Sequence, residues 1–304
     1  MALKDIKSKI KATERTHKVT RAMEAVSAVK MRKTQGAAFA GRPYARAALA
    51  ILARLSGSTN VSRHPLAQKR KVKRTAFVVI TSDKGLAGAL NSSVLKEALL
   101  RISSEGRVAE DFVIYAYGRK GEEFFRRRNY TIAKAVLNKR DDVALITMEE
   151  LAREVAAGFT KGDFDEVIAI YSNFKSTFEQ VPTMRTLLPL SLAELTKVVE
   201  DIAPEKGKFS EPRTIEASPA YEVEPSPEEV LNVLLPRLVA ISLYHMLLEA
   251  KASEHSARMV AMKNASDKSK EVAHDLTRLY NKRRQAAITR EVSEIVSGRE
   301  ALAM

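Results

Sequence analysis

Apolar positions near the start of the chain recur three and four residues apart. Leu3, Ile6 and Ile10 begin the series, and Val19, Met23 and Val26 resume it. That spacing puts the side chains on one face of an α-helix. It predicts a single helix over 2–55, about 80 Å long at 1.5 Å per residue. The stripe is thin: Ala and Ser dominate between Ala22 and Ala40, and small side chains let a second helix approach closely. Gly41 and Pro43 predict a kink in the last third. The run Ser56-Gly57-Ser58-Thr59-Asn60 supplies the breakers that end the helix.

From 75 to 200 the period changes. Thr75–Thr81, Phe112–Tyr117, Tyr130–Leu137, Val167–Phe174 and Val181–Leu190 read as strands. Ser92–Ile102, Gly121–Arg128 and Met148–Phe159 read as the helices between them. Such alternation predicts an α/β body around a mostly parallel, Rossmann-like sheet. Five prolines then fall within 203–227, which reads as a loop or extended excursion.

A second, longer helix is predicted over 228–298, about 105 Å in length. Its seam runs Leu231, Leu234, Leu238, Ile241, His245, Leu248, Ala252, His255, Met259, Met262, then Ser266, Ser269, Ala273, Leu276 and Tyr280. A sustained 3.5-residue repeat implies a left-handed coiled coil. Pro236 is expected to kink this helix or delay its start. Both terminal helices have small-residue seams, so they are expected to pair antiparallel and to project from the body. The fold expected is α/β, a long antiparallel coiled coil of the two terminal helices with an inserted Rossmann-like domain. Its divisions are 1–60, 61–226 with the Pro-rich loop, and 227–304.

Charge sharpens this picture. The chain of 304 residues carries a formal net charge of +14. Residues 1–55 hold thirteen Lys/Arg against three Asp/Glu. A basic helix fits an acidic protein surface, a nucleic acid or an anionic membrane, or is simply a solvated face. Nucleic acid is disfavoured, because no aromatics interleave with the basic residues and no nucleic-acid motif is present.

Candidate chemistry is sparse. There is no Cys, so disulfides, thiolate metal sites and Cys nucleophiles are excluded. The five His are scattered, without H-E-x-x-H spacing. The loop Ser82–Asn91 follows a strand as a phosphate loop would, but lacks the glycine and lysine pattern of one. A structural turn is expected there, with Asn91 or Ser92 capping the next helix. The pairs Glu122/Glu123, Asp141/Asp142 and Glu149/Glu150 are adjacent and diverge on a helix, so they make no acid/base couple. No catalytic residue, cofactor site or metal site is assigned. No apolar run reaches the roughly 18 residues of a membrane span. The best stretch, Val230–Leu248, is interrupted by Asn232, Pro236, Arg237 and His245. The N-terminus does not read as a signal or transit segment.

Longer motifs carry a resemblance. Ile6-Lys7-Ser8-Lys9-Ile10, Lys18-Val19-Thr20-Arg21-Ala22-Met23-Glu24 and Ser27-Ala28-Val29-Lys30-Met31-Arg32-Lys33 resemble the first helix of the ATP synthase gamma-subunit family. So do Thr81–Asn91, Gln180-Val181-Pro182-Thr183 and Leu187–Leu190 in the middle of the chain. Glu254–Ala265, Tyr280–Glu291 and Glu294-Ile295-Val296-Ser297-Gly298 match near the C-terminus. The resemblance therefore spans the chain. Lys84, Ala87 and Ala89 depart from the Arg, Cys and Gly usual in that family, and the cysteine pair of its chloroplast branch is missing.

The resemblance implies a non-catalytic central shaft of a proton-translocating ATP synthase. Its partners would be the alpha and beta subunits, an epsilon-type subunit and the membrane c-ring, with peripheral association on the cytoplasmic face of a bacterial membrane. It places Met23, Lys30, Arg32, Lys33, Arg284, Gln285 and Thr289 against the beta subunits. It places Pro204, Pro219, Tyr221 and Glu222 toward the ring.

Overall fold

A computed structural model describes residues 2–58, 61–138, 145–191, 193, 224 and 226–303. Pro204, Pro219, Tyr221 and Glu222, and with them nearly all of the Pro-rich stretch, lie outside the described residues. The chain divides into two compact units, Met1–Ser27 with Arg258–Met304, and Ala28–Ala257. Two helices, α1 (Leu3–Ser58) and α5 (Pro227–Ala303), each contribute to both.

The unit Ala28–Ala257 is built on a five-stranded sheet of order β3-β2-β1-β4-β5. Its strands are β1 (Thr75–Ile80), β2 (Phe112–Tyr117), β3 (Thr131–Val136), β4 (Glu166–Phe174) and β5 (Gln180–Leu188). The first four run parallel, and β5 pairs antiparallel with β4. Every residue of β1 and β2 is buried, as expected of central parallel strands covered on both faces. Alternation along them sorts two cores. Phe77, Val79, Phe112 and Ile114 pack with Val94, Leu95 and Ala98 of α2 (Leu90–Ser104) and Phe125 of α3 (Arg119–Arg126). Ala76, Val78, Val113 and Tyr115 pack on the other face with Met148, Leu151 and Val155 of α4 (Leu145–Lys161) and with Leu235, Leu243 and Leu247 of α5. Pro182 sits on β5, an edge strand, the place in a sheet where a residue without an N–H is tolerated.

Local chemistry explains where α5 begins. Ser226 Oγ accepts from Glu229 N at 3.2 Å, Pro227 occupies the first helical position, and Glu228 and Glu229 lie in the first turn. The helix is continuous through Pro236, nine residues later, as α1 is through Pro43. Pro236 therefore does not delay the start. It lies on the exposed side of the helix, where the carbonyl it leaves without a donor can be solvated. One window of 18 residues in α5 has mean hydropathy 1.6 and so is apolar enough for a membrane span by length and composition, contrary to the sequence expectation. The interrupting polar residues are too few to lower the average. Leu235, Leu238, Val239, Leu243 and Met246 nevertheless lie in the core over the sheet.

In the unit formed by the chain ends, α1 and α5 run antiparallel. Ala12, Thr13 and Thr16 face Ala265, Lys268, Ser269 and Val272 across a shallow groove. His17 Nδ1 lies 3.0 Å from both the carbonyl oxygen and the Oγ of Ser266. The seam predicted on α5 through Met262, Ser266, Ser269, Ala273, Leu276 and Tyr280 is buried or half-buried. The stripe predicted on α1 is corrected. Val19 and Val26 are 57% and 55% exposed, and Met23 is half-buried, whereas Ile6, Thr20 and Ser27 are buried. Together with half-buried Ile10, Thr13, His17 and Glu24, these follow a strict three-four alternation. The face toward α5 is therefore rotated by about one residue, or 100°, from the valine face. A hydroxyl can occupy it because Thr20 Oγ1 donates to Thr16 O at 2.9 Å within its own helix, so its burial leaves that donor satisfied.

The two faces respond differently to charge. Val19→Lys should change unfolding free energy by no more than about 0.5 kcal/mol, while Thr20→Lys should cost about 2 kcal/mol or more. Paired denaturant titrations of the two variants measure this. Equal losses would restore the valine face as the seam.

Candidate functional site

A doubly wound sheet places its ligand crevice beyond the C-terminal ends of the parallel strands, where the strand order reverses. Here that point lies between β1 and β4. It is filled by α5. The residual cavity, about 10 Å³, is walled by Ile80, Thr81, Ser82, Ser172, Lys251 and Glu254, among others. Lys251 Nζ lies 2.9 Å from Glu254 Oε2, and both side chains are 4% exposed. Ser253 Oγ donates to Ser172 O at 3.0 Å. A space of this size holds at most about one water.

The loop after β1 is closed on itself. Ser82 N donates to Asn91 Oδ1 at 3.0 Å, and Asn91 Nδ2 donates to Ser82 Oγ at 2.8 Å. Asp83 Oδ1 accepts from Arg119 N at 2.7 Å. The chain's own carboxylate thus takes the N-terminus of α3, a position suited to an anion. The expected capping role of Asn91 or Ser92 is corrected. No side chain caps α2 at Ala89; Asn91 reaches back to Ser82 instead, and Ser92 Oγ donates to Ala89 O. Gly118 is required where the β2 end crosses Thr81: its φ is +92°, and an added Cβ would lie 2.2 Å from Thr81 O.

A second polar cluster joins α5 to β4 and β5. Arg185 Nε donates to Tyr171 Oη at 3.2 Å, and Tyr171 hydrogen-bonds Glu249. The Glu249 Oε2 is buried without a hydrogen-bond partner among the described residues, although the residue as a whole is only half-buried. Burial pushes its carboxyl up to about 7, against the Tyr171 hydrogen bond and the Arg185 and Lys175 charges. Burial pulls His245, one turn earlier, down to about 4.

The residues assigned by resemblance are spread along the helices. Met23 and Lys30 are half-buried on α1; Arg32 and Lys33 are exposed. Arg284, Gln285 and Thr289 are exposed near the end of α5, where among 281–299 only Ala287 is not fully exposed. Gln285 and Thr289 are four apart and share a face; Arg284 lies about 140° around from Thr289. Sequence reading missed the Glu249 cluster and the Lys251–Glu254 plug, because neither has a spacing signature. It also missed Ile288, Val292, Ile295 and Val296, all at least 50% exposed, whose helical spacing was a usable signal.

The class defined by this geometry is an α/β body with its nucleotide crevice closed, in a chain that begins with one long helix and ends with another. Comparison with known proteins makes it specific. The family model described as ATP synthase matches residues 2–302. An ATP synthase gamma chain of Moorella thermoacetica is 41% identical over 300 residues, covering 99% of both chains. That of Staphylococcus saprophyticus is 38% identical over 301 residues, again covering 99% of both. Among solved structures, a chain of the Tetrahymena thermophila mitochondrial ATP synthase central stalk and c-ring aligns at 28% identity with a TM-score of 0.59. It covers 82% of this chain and 99% of that one. A chain of the Euglena gracilis mitochondrial enzyme, 18% identical with a TM-score of 0.63, covers 99% of this chain and 94% of its own, and supports the fold alone. The chain belongs to the ATP synthase gamma chain family.

The two buried titrating groups have opposite pH signatures. Glu249 has a folded pKa above its ordinary value of 4.5. Its contribution is therefore intact below about pH 4.5, and about 3 kcal/mol is lost as pH rises to 7. His245 is depressed from 6.5 to about 4, so its contribution is intact above pH 6.5 and is lost as pH falls. Glu249→Gln should therefore gain stability relative to the parent between pH 4.5 and 7, by a margin that widens with pH. A stability difference that stays flat across that range would show the Glu249 carboxyl to be solvated.

Proposed function

We infer that this chain is the central rotor shaft of a proton-translocating ATP synthase, coupling rotation of a membrane c-ring to ATP synthesis or hydrolysis in an alpha/beta catalytic head. It does no nucleotide chemistry itself. The observation that carries the second part is the plugged crevice: α5 occupies the fold's nucleotide position and leaves about 10 Å³. Helices of 56 and 77 residues supply the first part, since a long helix that continues through its single proline carries torsion along its length. The Tetrahymena relative comes from a central stalk and c-ring.

In this reading the helical segments 1–60 and 227–304 form the shaft, and 61–226 the body. The partners are the alpha and beta subunits, the c-ring and an epsilon-type subunit beside the body, with no nucleic acid. Pro204, Pro219, Tyr221 and Glu222 face the ring. Met23, Lys30, Arg32 and Lys33 on α1, with Arg284, Gln285 and Thr289 on α5, meet acidic loops of the beta subunits. Long-range attraction of basic α1 to those loops is screened by salt. The complex sits on the cytoplasmic face of a bacterial plasma membrane.

Two measurements test this. The purified chain should show no ATP turnover in the absence of beta subunits; activity surviving their removal overturns the non-catalytic reading. In the assembled complex, Arg284→Ala and Gln285→Ala should each lower turnover by about tenfold, the value of a sheltered charge-assisted contact near 1.5 kcal/mol. Lys282→Ala should be nearly silent. If all three behave alike, the contact is unspecific electrostatics and the residue assignments fall, while the shaft reading stands.

A further inference from the structure

A broad cavity of the Ala28–Ala257 unit is unrelated to the closed crevice. It lies on the outer side of α4 and α5, against Gly41 and Tyr44 of α1 and the turn at His64–Leu66, with a volume of about 1100 Å³. Its origin is legible in the helices. The face of α4 toward the sheet carries Met148, Leu151, Val155 and Phe159. The opposite stripe, Leu145, Glu149, Arg153, Ala157 and Lys161, turns into the cavity at four-residue spacing. On α5 the stripe Arg237, Ala240, Ile241 and Tyr244 does the same. Ala156, Ala157 and Ala240 are too short to close the space between the helices.

The chemistry of this wall is uneven in a useful way. Tyr44 and Leu145 are 56% and 46% exposed, and Ile241 and Tyr244 are only half-buried, so large apolar side chains stand open to the cavity. Three cations, Arg153, Lys161 and Arg237, share the lining with a single carboxylate, Glu149. His245 completes the wall; it is 2% exposed, and its Nδ1 has no hydrogen-bond partner among the described residues. Burial holds that ring neutral, so the fixed charge of the lining is net positive. An apolar trough with a cationic lining and a volume at or slightly above that of ordinary ligand sites selects a long apolar body with an anionic head. A neutral hydrocarbon would leave the arginines unused, and a small inorganic anion would leave the trough wet.

We propose that the groove between α4 and α5 is a binding site for an amphipathic carboxylate, its alkyl chain along Ala157, Ala240, Ile241 and Tyr244 and its head paired with Arg153 and Arg237. This site is independent of the shaft reading, since it uses none of the residues assigned to subunit contacts.

The test uses the full chain and dodecanoate as probe, followed by calorimetry and by displacement of a fluorescent fatty-acid analogue. Saturable binding at one dodecanoate per chain is expected, with dodecanol at least tenfold weaker. Ala157 is exposed, so Ala157→Trp fills the trough without entering the core and should abolish binding while leaving the circular dichroism and melting curve unchanged. Arg153→Gln and Arg237→Gln should each weaken dodecanoate at least fivefold without altering dodecanol binding. Lys120→Gln, on α3, should leave both unchanged. Four outcomes overturn the proposal. They are no saturable binding below 1 mM, equal binding of dodecanol and dodecanoate, binding that survives Ala157→Trp, and a concentration-dependent dimer abolished by Ala157→Trp in place of carboxylate binding.

Discussion

From Leu238 to Ser256 the C-terminal helix is enclosed, with every residue buried or half-buried. Apolar burial against the sheet supplies most of the energy, through Leu238, Val239, Leu243, Met246 and Leu247. The polar residues in the same stretch determine where the helix sits. Ser253 donates to Ser172 O, Ser256 donates to Thr177 O at 2.6 Å, and Lys251 pairs with Glu254 away from solvent. Sliding the helix by one residue would strand each of these groups in the interior, at about 1–3 kcal/mol apiece. Buried polar contacts therefore act as a key for register more than as a source of stability. A helix keyed in this way cannot rotate in its socket, which a torque-bearing element requires.

The same enclosure decides what the α/β body does not do. Its sheet order and crossover pattern are those of folds that hold nucleotides at the reversal of strand order, yet fold alone does not specify function. Three substitutions of role close the site. Asn91 is spent on Ser82, Asp83 on the N-terminus of α3, and the space beyond β1 and β4 on Lys251 and Glu254. In the shaft reading, catalysis is left to partner subunits and this body serves as a mount.

Along α1 the requirements differ. A seam of Thr20 and Ser27 brings helices close but buries little apolar area, so this pairing relies on shape, with the Thr20 hydroxyl satisfied within its own helix. The valines left outside, together with Ile288, Val292, Ile295 and Val296 on α5, are apolar surface that nothing in the chain covers among the described residues. In the shaft reading, they belong to the subunits around it.

Much of this was legible in the residues. The β-branched run Thr75–Thr81 and the apolar run Phe112–Tyr117 could only be buried strands. Ser226-Pro227-Glu228-Glu229 is a helix start by local chemistry alone, and the α5 seam from Met262 to Tyr280 follows its heptads into the structure. These succeed because their causes are short-range or periodic. The face of α1, the partner of Asn91, the passage of the helix through Pro236 and the raised pKa of Glu249 were decided by tertiary contacts. Periodicity establishes that a helix has a buried face, but hydrophobicity identifies that face only when the interface is apolar; here Thr20 bonds within its own helix and Val19 does not need to be buried. Asn91 and Glu249 owe their roles to groups 9 and 64 or more positions away, Ser82 for one and Tyr171 and Arg185 for the other, and no local pattern encodes a neighbour supplied by another loop or strand.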